Sequence, residues 1–93
     1  KVLETASDLA LMAAIISSLR NRPLEHGLLV FGEIGLSGEI RPVPSGQERL
    51  KEAAKHGFKR AIVPKANAPR ETLPGLQVIA VTRLEEALDA LFE

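Results

Sequence analysis

Apolar residues fall in short blocks separated by glycine, proline and charge. The longest block, Leu9 to Leu19 (LALMAAIISSL), is apolar nearly all round, and its Ala, Leu and Met favour helix. Thr5-Ala6-Ser7-Asp8 offers capping side chains ahead of it, and Arg20-Asn21-Arg22-Pro23 stops it, because proline cannot continue a helix. A buried helix is expected there. The preceding Lys1-Val2-Leu3 reads as the end of an extended segment.

Leu28-Leu29-Val30-Phe31 is a strand-length apolar run, and the tripeptide GEI recurs at Gly32 and Gly38 around a glycine-bounded turn. An antiparallel hairpin over 28–43 follows. Arg41-Pro42-Val43-Pro44 closes it near a sheet edge, since proline cannot donate to a ladder. Ser45-x-x-Glu48 has the form of a capping box opening a helix to about His56, with Leu50, Ala53 and Ala54 inward and Gly57 as the C-terminal cap. Arg60 to Val63 and Leu76 to Val81 read as strands, parallel neighbours by the length of the connection between them. Thr82-x-x-Glu85 is expected to cap a last helix carrying Leu84, Ala87, Leu88 and Leu91 on one face. The pattern predicts one α+β domain over residues 1–93, an α/β sandwich with a mixed sheet.

Composition narrows the function classes. The 93 residues contain no cysteine and two histidines, His26 and His56, without an acid or second histidine at ligand spacing, so neither a disulfide nor a structural metal is expected. Leu9 to Ile16 falls far short of the roughly 20 residues that cross a bilayer, so no membrane association is expected. The zero formal charge hides an asymmetry. Residues 49–70 carry Arg49, Lys51, Lys55, Lys59, Arg60, Lys65 and Arg70 against Glu52 alone, whereas residues 71–93 carry Arg83 against five acids. Lys55, Lys59, Arg60, Lys65 and Arg70 are the candidate phosphate contacts, read as sharing one rim, with Arg20 and Arg22 as secondary candidates. A charged helix face is ordinarily just a solvated one, and charge at the end of the first helix is ordinarily a response to its dipole. With three Phe and no Trp or Tyr, stacking on single strands is not the expected mode. The glycines of Gly32 to Gly38 lie between strands and precede no G-K-[ST], so they serve turn geometry rather than phosphate binding.

The run GEIGLSGEIRPV from Gly32 to Val43, followed by QERLKEAA from Gln47 to Ala54 and GFKRAIVP from Gly57 to Pro64, resembles the Lon proteolytic domain. Within that superfamily, ETASDLAL at Glu4 to Leu11 and the continuous wording from Gly32 to Asn67 are similar to the bacterial RadA family of DNA-repair proteins. The resemblance covers essentially the whole chain. It implies a ribosomal-protein-S5-domain-2-like fold, with upstream strands expected beyond this segment. It also implies a C-terminal place in a longer cytoplasmic protein that carries a zinc finger and a RecA-like ATPase. ATP, Mg and Zn would belong to that remainder, and no cofactor is expected in this domain.

Lon-type proteases use a serine nucleophile with a lysine that accepts its proton. Counting along the matched segments places those positions at Ala6 and Gln47, which supply neither group. Ser7 and Lys51 are the nearest substitutes, for a residual peptidase as the alternative reading. The resemblance therefore implies a non-proteolytic module of a branch-migration ATPase acting in repair, recombination and stress response. Its expected partners are duplex or branched DNA, further copies of itself in a hexameric ring, and a recombinase of the RecA type.

Overall fold

The computed structural model describes residues 7–92. Helix α1 spans Asp8–Arg20, strand β1 Leu28–Val30, β2 Glu33–Ile34, β3 Ile40–Arg41, α2 Gly46–Lys55, β4 Arg60–Pro64, β5 Gln77–Val81 and α3 Leu84–Phe92, with a single 3-10 turn at Lys65–Asn67. The chain is an α+β domain in which parallel and antiparallel pairing coexist. Strands β1, β4 and β5 form a parallel sheet with β4 central, and β2 and β3 form an antiparallel hairpin. The two are joined by an antiparallel bridge between Glu39 and Arg83 and by the Ile40 amide donating to the Thr82 carbonyl at 2.8 Å.

The central sheet is covered on both faces, as parallel sheets require. Side chains alternate across it. Leu29, Phe31, Ala61 and Val63 face α2 through Leu50 and Ala53, while Leu28, Val30, Ile62 and Val81 pack with Leu9 and Ala87 of α1 and α3. Helix α2 thus forms one outer layer, and α1 with α3 the other.

The expected hairpin over 28–43 is shorter than the sequence indicates. Residues 28–30 pair in parallel with β4, and only 33–34 and 40–41 form hairpin arms. Gly32 makes the change of direction. It sits at φ +148°, and a β-carbon there would meet Ile40, Pro64 and Leu9 side chains at 3.0 to 3.4 Å, so only glycine lets the chain leave the central sheet at this point.

Helix caps differ in detail from the motifs. Ser7 caps α1, its Oγ accepting from the Ala10 amide at 3.3 Å. Ser45 makes no side-chain cap; it lies at φ 59°, so its hydroxyl is not presented to the first turn of α2 as a capping box needs. At the other end of that helix the Phe58 amide reaches the Ala53 carbonyl and the Gly57 amide the Ala54 carbonyl, with Gly57 at φ +82°, the expected glycine stop. Helix α3 begins at Leu84, so the third-position acid that reaches back is Glu86 rather than Glu85, accepting from the Thr82 and Arg83 amides at 2.7 and 3.1 Å.

Helix α1 is not buried all round. Leu9, Ala10 and Ala13 are buried, but Leu11, Ile15 and Leu19, spaced four residues apart, are 51%, 46% and 80% exposed. Because its apolar residues surround the whole helix, the sequence alone could not distinguish the face on the sheet from the face left open. Among the described residues no helix is long and apolar enough to cross a membrane.

Candidate functional site

The three helices run antiparallel to the strands of the central sheet, so their C-termini gather at the end where β1, β4 and β5 begin. The contacts that define this end are specific. The Gly27 carbonyl accepts from the Lys59 and Arg60 amides at 2.8 and 3.1 Å, and Arg60 donates to the Ala90 carbonyl of α3 at 3.1 Å. The guanidiniums of Arg20 and Arg22 lie over the Phe92 ring, 5.2 and 5.7 Å from its centroid. Arg20 and Lys55 occupy the last turns of α1 and α2, where a positive charge interacts favourably with the helix dipole. The opposite end collects acids in first turns: Asp8, Glu48, Glu85 and Glu86.

This arrangement divides the five cations that the sequence placed on one rim. Lys55, Lys59 and Arg60 belong to the end where the helices finish. Lys65 begins the turn after β4, so the length of that strand sets it about 20 Å from Lys59. Arg70 lies on the same far side, lining a recess of about 220 Å³ with Gln47, Lys51 and Glu71. The five therefore form two groups, because a strand lies between residues only six positions apart.

The cations also differ in freedom. Lys59, Lys65 and Arg70 are exposed, and Lys55 is exposed with Glu52 at 4.0 Å. Arg60 is committed to the fold: its guanidinium pairs with Glu25 at 2.5 Å and with Ala90, tying the loop after α1 to the end of α3. Arg20 and Arg22, rated behind Arg60 in the sequence, are exposed instead.

The positions compared with the Lon dyad can be located in part. Ala6 lies outside the described residues. Gln47 is in the first turn of α2, its amide donating to the Ala68 carbonyl at 3.4 Å. Ser7 is buried, and its hydroxyl oxygen accepts from the amides of Ala10 and Gly32 at 3.3 and 3.2 Å. Ser7 stands at the head of α1, whereas Lys51 lies on α2 beyond the other face of the sheet. Of the histidines, His56 contacts Glu52 at 3.1 Å, and the described residues hold no group of three or more His, Cys, Asp or Glu suited to a metal.

A family model described as subunit ChlI of Mg-chelatase matches residues 4–67, which include β1, the hairpin, α2 and β4. The chain belongs to the ChlI family. Homologues of this ChlI-family domain are RadA DNA repair proteins. It is 85% identical over 93 residues to DNA repair protein RadA of Pseudomonas aeruginosa, covering 100% of this chain and 20% of that protein. It is 64% identical over 88 residues to RadA of Escherichia coli, covering 95% and 19%, and 42% identical over 91 residues to RadA of Aquifex aeolicus, covering 98% and 20%. The chain spans about a fifth of the length of these curated relatives.

Two features of the ChlI-family domain escaped the sequence reading. One is the placement of the Arg20 and Arg22 guanidiniums over the Phe92 ring, residues some seventy positions apart that no local pattern connects. The other is Asn67, buried and bonded to both main-chain groups of Val43. It fell in a stretch that reads as a polar connection, and side-chain pairing to a distant backbone leaves no periodic trace.

Proposed function

We propose that the chain is a non-catalytic Lon-protease-like domain, with a ribosomal-protein-S5-domain-2-like fold, of a RadA-type DNA repair and recombination ATPase, and that it holds duplex DNA by its phosphates. The observation that carries this reading is the gathering of Arg20, Arg22, Lys55 and Lys59 at one end of the sheet, in a domain whose relatives are named for DNA repair. Long, exposed cations on one surface suit a phosphate backbone, and each contact releases counterions. Lys65 and Arg70 would form a separate, secondary contact on the other end. The pairing of Arg60 with Glu25 supports a structural role for that residue instead.

The same reading assigns chemistry elsewhere in the parent protein. ATP, Mg and Zn would be bound outside these residues, in a cytoplasmic hexamer that works beside a RecA-type recombinase on branched DNA. The buried Ser7 hydroxyl, engaged by two amides, and the glutamine at position 47 support the absence of peptidase activity here.

The test is fluorescence anisotropy of a duplex oligonucleotide over a salt series, with the native chain and a Lys55→Glu/Lys59→Glu variant. Binding that weakens linearly on a log-log salt plot and is severely reduced in the variant supports the reading. Failure of the native chain to bind at low salt overturns it for this chain.

A second role, assembly with further copies of the chain, is favoured by the open Leu11, Ile15 and Leu19 face of α1. Exposed apolar stripes of this kind mark interaction surfaces. Sedimentation of the native chain and an Ile15→Lys/Leu19→Lys variant distinguishes the two: a concentration-dependent oligomer lost in the variant supports assembly, and a monomer at all concentrations argues against it for the isolated chain.

A further inference from the structure

We infer that Arg20 and Arg22, held together over Phe92, form a single oxyanion site for one phosphodiester segment of nucleic acid. The inference deepens the duplex-DNA reading and rests on it. Its starting point is a pair of like charges where folding alone asks for one. A cation in the last turn suffices to complement α1, and Arg20 supplies it. Arg22 lies beyond the helix, yet it approaches the same ring as Arg20, at 5.7 against 5.2 Å.

The surroundings hold both side chains ready. The Phe92 ring is a fixed platform, 3% exposed at the end of α3. The chain that carries Arg22 is also fixed: Asn21 turns into the left-handed region at φ 54°, the Arg22 amide donates to the Ser17 carbonyl at 3.0 Å, and the Ser17 hydroxyl donates to the Arg22 carbonyl at 2.5 Å. These bonds occupy the Ser17 and Arg22 carbonyls and fix the backbone from which the Arg22 side chain reaches the ring. The guanidinium carbons lie over the ring rather than against an acid among the described residues, and the N–H fork of an arginine matches phosphate oxygens. Among the described residues no carboxylate lies within ion-pair distance of either arginine; the nearest acid in sequence, Glu25, is taken by Arg60.

Among the described residues neither exposed fork has a carboxylate partner, and both lie at the end of the sheet that also carries Lys59 and, on the opposite helical layer, Lys55. Preorganisation lowers the ordering cost that flexible lysines must meet on binding. The arginine pair therefore anchors the phosphate backbone, and the lysines extend the track.

Three variants of the 93-residue chain test this in the duplex anisotropy assay, each with a thermal melt. Arg20→Gln/Arg22→Gln is expected to lower the log-log salt slope by nearly two units and the affinity by about tenfold or more. Arg20→Lys/Arg22→Lys keeps both charges at the end of α1, so its melt and slope stay near native while affinity falls several-fold. Phe92→Leu keeps both arginines and is expected to weaken binding similarly. If the glutamine variant binds with native slope and affinity, the inference is overturned while the duplex reading survives on Lys55 and Lys59. If the native chain binds no duplex, that reading fails, and titration with inorganic phosphate decides the site by itself. Saturable shifts of the Arg20 and Arg22 side-chain Nε–H resonances support it, and their absence overturns it. The lysine variant keeps the test decisive should Phe92→Leu fail to fold.

Discussion

Asn67 pairs with the main chain of Val43 as a neighbouring strand would. Its Oδ1 accepts from the Val43 amide at 2.8 Å and its Nδ2 donates to the Val43 carbonyl at 3.1 Å. Both residues are buried, so this side chain satisfies two backbone groups that water does not reach. Gly46, at the start of α2, stands directly above it, where a β-carbon would collide with the Asn67 amide. The turn after β4, the end of the hairpin segment and the first turn of α2 are thereby fixed to one another.

Asn67→Ala leaves the amide and carbonyl of Val43 without partners and is expected to cost about 2 to 4 kcal/mol. Urea unfolding measures it. A loss below half a kilocalorie per mole would show that solvent replaces both bonds. Gly46→Ala is expected to act in the same direction, because the added methyl displaces the Asn67 side chain.

Arg60→Met tests whether that cation belongs to the fold or to DNA. The substitution removes the pair with Glu25 and the bond to the Ala90 carbonyl while keeping the aliphatic stem. With the side chain 25% exposed, solvent screening reduces the loss, and about 1 to 2 kcal/mol is expected. Unfolding of the variant checks the stability, and the salt slope of duplex binding is expected to stay native. A native melt with a reduced slope would move Arg60 from scaffold to interface.

The pH dependence of stability has contributions of opposite sign, from one raised carboxylate, Glu33, and three lowered ones. Glu86 is held below the usual carboxylate range by the amides of Thr82 and Arg83 and the Thr82 hydroxyl. Its stabilising effect is therefore present above the ordinary carboxylate pKa and lost as pH falls through the depressed value. Glu33 is raised, first by its hydrogen bond to Asp8 and then by that residue's charge. Its contribution has the opposite sign, present at low pH and lost as pH rises through the raised value. Glu86→Gln is expected to lower the melting temperature at neutral pH and to flatten its fall on acidification. An acid limb unchanged from native would assign that fall to other carboxylates, with Glu39 and Glu85, both also lowered, next to be tested.

Much of the fold was legible because its signals are local. Gly57 stops α2 by adopting a backbone angle that glycine reaches at little cost, and the unbroken apolar run Leu28 to Phe31 marks a strand, although its parallel pairing and its cover on both faces came only with the structure. The capping glutamate of α3 was misread by one position because a cap is counted from where the helix begins, and Leu84, not Arg83, is its first residue. The sequence named Lys55 and Lys59 as candidates because clustered charge is visible in a linear count. It could not say which cations act together, since Arg60 looks no different from Lys59 until Glu25 and Ala90 meet it in space.

The order of helices and strands, the positions of the turns and the resemblance to known proteins were all determined by the linear chain, through propensities and spacings that reach a few residues. Tertiary structure decided which end of the sheet is basic. Helix α2, which connects the parallel β1 and β4, runs back antiparallel to them, and α1 and α3 lie in the same direction on the other face, so the three helices finish together and the last-turn Arg20 of α1 and Lys55 of α2 come to one end. The segments of opposite charge along the sequence become opposite ends of the molecule only in part, with Lys65 and Arg70 left among the helix beginnings. Packing also decided which arginines stay exposed and which is paired, because Phe92 and Glu25 reach those side chains only after α1, β4 and α3 have docked.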